Sequence, residues 1–178
     1  RKLMRARSLI LATLLAAAPA FAADTAEQHP AHQHGAASLE ISLEGRTLQV
    51  ALDGPADNLL GFEHAARTEA EKQTLARAEQ RLRQPAELFA TPPAAQCKAQ
   101  PPKIEIKLPA AGSSETHSDV EAEWRWECAR PEALTHLEVA GLFTAFPRLK
   151  ELKVQVATAK GQQSAVLRPG AARVKLAS

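Results

Sequence analysis

Histidine and carboxylate spacing gives this chain its most specific chemical signal. His29, His32 and His34 lie close together near the N-terminal end, and Glu63-His64 follows some thirty residues later. Zinc takes imidazole and carboxylate ligands in tetrahedral geometry, so three or four of them must converge on one ion. In an extended segment, side chains two residues apart point the same way. His32 and His34 can therefore face one ion, with His29 joining from the preceding stretch. His117, near Asp119, falls in a polar loop as an auxiliary ligand or a solvated side chain. His136 shares a face with Glu138 and reads as structural or exposed. Spacing alone leaves a second reading open, in which the His-x-His belongs to an exposed tail. Glu63 would then only favour the positive end of the helix that follows.

Whether those groups meet depends on the elements between them. Leu39, Ile41 and Leu43 alternate with polar residues, and Leu48, Val50 and Leu52 repeat the pattern after Glu44-Gly45. That period predicts two half-buried strands joined by a tight turn. Two antiparallel strands return the chain to where it began, which would bring His64 towards His34. Gly54-Pro55 ends the second strand, and Asp57 to Phe62 reads as a compact turn or a single helical turn. Thr68 with Glu71 fits a capping box, so a helix should run from there to Gln84 and stop at Pro85. Its apolar stripe, Leu75, Ala78 and Leu82, is narrow enough to lie on a sheet.

Further on, Ile104, Ile106 and Leu108 alternate with charged residues. Val120, Ala122, Trp124, Trp126 and Cys128 share one face of a longer strand that can pair with them. The two tryptophans on that face read as core. Short strands follow at Leu134 to Val139 and Leu152 to Val156. Val166-Leu167 and Val174 to Leu176 flank Pro169-Gly170 as a closing hairpin or edge. The fold class expected is α+β: a mostly antiparallel sheet of about seven strands, linked by a disulfide, with one main helix packed on it.

Residues 1–22 read as a secretory signal: a positive start, an apolar run from Leu9, and the small-x-small Ala20-Phe21-Ala22 before the predicted cut. Residues 23–36 are then a flexible His-bearing segment, and residues 37–178 a single zinc-binding domain. Removing the signal takes away four of the 22 Lys and Arg and none of the 20 Asp and Glu, so the net charge turns from +2 to −2. With no basic cluster interleaved with aromatics, the sequence points away from nucleic acid. Nor does any later apolar run approach the length of a membrane span. The compartment expected is the bacterial periplasm. There the isolated pair Cys97 and Cys128 should form a disulfide, contributing roughly 3–4 kcal/mol by loop closure. Two thiolate metal ligands are the other reading of that pair. Met4 is the one methionine and belongs to the signal, which disfavours copper delivery. The chain has no His-Glu-x-x-His, Gly-x-Ser-x-Gly or Walker pattern, so no enzyme is expected.

The stretch His32-Gln33-His34-Gly35-Ala36-Ala37 resembles the ZrgA-like periplasmic zinc-binding proteins. So do Pro55 to His64, the Cys97/Cys128 pair, and Leu142-Phe143-Thr144-Ala145-Phe146-Pro147. The resemblance implies a periplasmic Zn²⁺-binding protein that supports uptake through an ABC-type zinc importer, as a metallochaperone or reservoir. Many relatives carry a long His/Asp-rich stretch between the cysteines. Here Ala110 to Asp119 holds only His117, which directs attention to the Asn58–His64 region and the N-terminal histidines. On this reading His32, His34 and His64 are ligands, Glu63 is a fourth ligand or orients an imidazole, and His29 or His117 is auxiliary. The alternative is an envelope module that binds another protein and no metal.

Overall fold

The computed structural model describes residues 33–113 and 118–176. The predicted signal, His29, His32 and His117 lie outside them. In chain order the first half comprises β1 (Ala36–Glu44), β2 (Thr47–Pro55), α1 (Asp57–Leu60), α2 (Glu69–Leu82) and α3 (Pro85–Leu88). The second half comprises β3 (Cys97–Ala99), β4 (Lys103–Lys107), β5 (Asp119–Cys128), β6 (His136–Glu138), α4 (Ala140–Ala145), β7 (Glu151–Thr158), β8 (Gly161–Leu167) and β9 (Arg173–Lys175).

The alternating pattern produces the expected hairpin, with Leu39 opposite Leu52 and Ile41 opposite Val50. Next to β2 runs β5, antiparallel, setting Trp124 against Val50 and Trp126 against Leu48. β3 and β4 pair in turn with the far side of β5. The period-two alternation therefore continues across strands as rows of apolar side chains on one face. Leu39, Ile41, Leu48, Val50, Val120, Trp124 and Val154 are all buried there. Ser38, Glu40, Asp53, Glu121 and Arg125 alternate with these rows and stay partly or fully exposed.

α2 packs Ala78 and Leu82 on the apolar face, and Leu88, Leu142, Phe143 and Phe146 extend the cover. Trp124 donates its indole N–H to the Leu82 carbonyl at 2.7 Å, which satisfies an orphan carbonyl at the end of α2. Phe89 meets Trp124 and Trp126 edge-on, with ring centroids 4.8 and 5.5 Å apart. Cys97 lies directly opposite Cys128 in the register, and the two form the expected disulfide.

Two connections differ from the sequence expectation. β7 pairs with β1 in parallel, from Ala36 opposite Glu151 to Leu43 opposite Thr158, in a sheet that is otherwise antiparallel. After the turn at Pro169-Gly170 a single antiparallel bridge joins Arg168 and Ala171, and the chain does not continue along β8. It crosses instead to β6, where Val174 sits opposite the buried Leu137 in a separate two-stranded sheet. Leu142-Phe143 also belongs to a short helix, α4, which lies hard against α3. A Cβ added to Gly141 would stand 2.1 Å from the Glu87 carbonyl oxygen and 2.6 Å from the Leu88 Cα.

Those atoms are backbone and cannot swing aside. Gly141→Ala is therefore expected to cost about 1–3 kcal/mol as an overpacked contact. Thermal unfolding followed by circular dichroism should show a midpoint several degrees lower; an unchanged midpoint would mean that the two helices separate freely.

Candidate metal centre

The site begins where β2 ends. Gly54-Pro55 breaks the strand, and α1 makes one helical turn closed by Gly61. Gly61 sits at φ 83° and donates its N–H to the Asp57 carbonyl at 2.9 Å. Glycine suits this left-handed closing position because it has no Cβ to clash there. The turn aims Asn58 back at the start of β1. Buried Asn58 accepts the Gly35 N–H at 2.6 Å and donates to the Ala36 carbonyl at 2.7 Å. The Gly35 carbonyl in turn accepts the N–H groups of Lys150 and Glu151, at 2.7 and 2.9 Å. The residue after His34 is thus fastened to both α1 and the start of β7.

Asp57 turns its carboxylate to the other side. Arg148 donates to Oδ1 and Oδ2 through Nη2, both at 2.8 Å, and to the Asp57 carbonyl through Nε at 3.0 Å. The His34 imidazole nitrogen Nδ1 lies 3.0 Å from Oδ2. Burial alone would raise the Asp57 carboxyl. The hydrogen bonds from Arg148 and His34, helped by their charges, outweigh it and hold the group below its ordinary range. Asp57 is therefore an ionised acceptor, and the bond to it requires His34 to carry its proton on Nδ1. In the neutral ring Nε2 is then the unprotonated nitrogen, on a side chain that is 64% exposed.

His64 repeats this arrangement with other partners. Its Nδ1 lies 3.0 Å from the Ala65 carbonyl, which can only accept, so the proton again sits on Nδ1. Phe62, half-buried against the core, stacks on the imidazole at 5.2 Å between centroids. Nε2 stands 3.6 Å from Oε1 of Glu71 in the first turn of α2. Glu71 also completes the predicted capping box. Its Oε2 accepts the N–H groups of Arg67 and Thr68, at 2.8 and 2.9 Å, and its own N–H reaches the Thr68 hydroxyl. Those backbone hydrogen bonds, with a smaller pull from His64, hold the Glu71 carboxyl low.

His34 and His64 are each oriented at Nδ1 with Nε2 on the opposite side of the ring, an arrangement that suits a borderline metal such as Zn²⁺. Each pairs with its own carboxylate. Among the described residues, no three His, Cys, Asp or Glu side chains gather tightly enough to hold an ion by themselves. Glu63, adjacent in sequence to His64, is half-buried and forms no ion pair with either imidazole; Glu71 takes that place. The cysteines are consumed by their disulfide and offer no thiolate. His136 is placed by Thr135 and Glu138 at the two-stranded sheet.

Sequence reading did not single out Asp57, Arg148 or Glu71 as partners of the histidines. Glu71 was visible only as a helix-start residue, and nothing in the sequence around Arg148 signals a partner 91 residues away.

The family model for the ZrgA family zinc uptake protein matches residues 31–176. The chain belongs to that family. It spans the hairpin, the Asp57–Arg148 cluster, the capped helix and the disulfide. No curated protein matches the chain. Among the described residues, no helix is long and apolar enough to cross a membrane.

Because its pKa is depressed in the fold, Asp57 contributes stability that is complete above the unfolded-state value of about 4. That contribution is lost as pH falls through the lower folded value. Arg148→Met is expected to lower stability by about 1–3 kcal/mol at pH 7, and the gap to the wild type should narrow in acid. Urea unfolding at pH 7 and at pH 3 measures it. A gap that stays constant would remove Asp57 as its cause.

Proposed function

We propose that this protein is an exported zinc-binding accessory of zinc acquisition. It holds Zn²⁺ as cargo in the periplasm and passes it towards an ABC-type importer, without chemistry of its own. The observation that carries the reading is the shared state of His34 and His64, each held at Nδ1 by an oxygen acceptor with Nε2 left to coordinate. Membership of a zinc uptake family supports zinc as the ion.

In this reading residues 1–22 are a signal removed after Ala22, residues 23–36 carry the flexible histidines, and residues 37–178 form one domain. His34 and His64 coordinate through Nε2, with His32 beside His34 and with His29 and His117 as auxiliary donors. Glu63 is the carboxylate that the sequence offers next to His64. The absence of a protease, hydrolase or nucleotide-binding motif supports a carrier rather than an enzyme. Imidazole binds metal only when neutral, so affinity falls as pH drops through about 6.5. Release would then be favoured by acid or by a competing site with more ligands.

Calorimetric titration of the purified chain with Zn²⁺ at pH 7.5 tests this. Saturable binding is expected, weakened at least tenfold in a His32→Ala/His34→Ala/His64→Ala variant that still unfolds cooperatively. Unchanged binding in that variant would overturn the ligand assignment. An absence of binding in the wild type would leave an envelope module that engages another protein.

A further inference from the structure

The geometry points to Glu71 as a metal ligand: His64 Nε2 and Glu71 Oε1 together form a two-donor seat for a divalent cation at the start of α2. The inference rests on the zinc reading above and adds to it a carboxylate that the sequence pattern assigned to helix capping.

Three features of the pair carry it. The first is the separation of 3.6 Å between Nε2 and Oε1. With metal–ligand lengths of about 2.0–2.2 Å, neighbouring donor atoms in a tetrahedral zinc shell stand about 3.3–3.5 Å apart. The free pair needs to move only a few tenths of an ångström. The second is the division of labour within the carboxylate. Oε2 is filled by two backbone N–H donors, from Arg67 and Thr68, so the cap fixes the group while Oε1 faces the imidazole. A ligand pinned in this way loses little freedom on binding. The third is the imidazole itself. Its Nδ1 is held 3.0 Å from the Ala65 carbonyl, and Phe62 stacks on the ring, so Nε2 stays turned towards Oε1.

The positive end of α2 works against a cation here, and Arg67 is a neighbour in sequence. The carboxylate charge offsets both, which makes Glu71 more important to the seat than a neutral donor would be. Two protein donors leave two positions of a tetrahedral ion for water or for ligands supplied by a receiving protein. Such an ion exchanges readily, as cargo should.

The test compares four full-length variants with the wild type by Zn²⁺ titration, by Co²⁺ visible absorption and by thermal unfolding. Glu71→Gln preserves capping-box chemistry, because glutamine serves at the same helix position, but it removes the charge. It should weaken Zn²⁺ binding at least tenfold and lower the intensity of the Co²⁺ bands without loss of fold. His64→Gln should do the same, and the double variant should be no weaker than either single one, since both lose the same ion. Thr68→Ala disturbs the cap alone and should lower the unfolding midpoint while affinity stays within twofold. Wild-type affinity in Glu71→Gln, or additive losses in the double variant, would overturn the seat while leaving zinc binding by the protein intact. A wild type that binds no Zn²⁺ would overturn both readings.

Discussion

A buried carboxylate joins three parts of this protein that are far apart in sequence. Asp57, in the turn after β2, receives Arg148 from the segment before β7 and His34 from just before β1. Asn58, the next residue, ties the same turn to Gly35 and Ala36. A carboxylate largely withdrawn from water stays ionised only where charged and hydrogen-bonded partners offset its lost hydration. Here the partners come from segments that are distant in sequence. The electrostatic requirement of Asp57 thereby sets the orientation of His34.

The sheet makes that convergence possible. β1 is central, with β2 antiparallel on one side and β7 parallel on the other. Its first residues therefore lie beside both the end of β2 and the start of β7. The tightly packed side under α2, α3 and α4 supplies rigidity, while His34 and His64 stay at the exposed margin. His34 and His64, with side chains 64% and 49% exposed, are held at one nitrogen and open at the other. That combination differs from a structural metal site, which is closed by four protein ligands.

Much of the scaffold was legible because local rules govern it. Alternation fixed the β1–β2 hairpin and the tryptophan face of β5, and Thr68 with Glu71 marked the start of α2 to the residue. The paired cysteines pointed to their disulfide. What sequence reading missed depends on distant partners. No local pattern distinguishes a strand that pairs in parallel with β1 from one that pairs next door, or sends β9 across to β6. α4 was obscured by its brevity and by Gly141, a poor helix former that is there because α3 leaves no room for a side chain. At the candidate site the histidines stood out by type, but their partners did not. Glu63 was favoured by adjacency, whereas Glu71, one helical turn into α2, reaches His64 in space.

The central claim is that acceptor oxygens hold both imidazoles as Nδ1–H tautomers, leaving Nε2 for the ion. Long-range proton–nitrogen correlation NMR on the ¹⁵N-labelled chain at pH 7.5 reads this directly, without and with Zn²⁺. The account predicts protons on Nδ1 of His34 and His64 in the zinc-free protein, and a shift of both Nε2 resonances as zinc saturates. Protons found on Nε2, or zinc binding that leaves both Nε2 resonances unmoved, would contradict it.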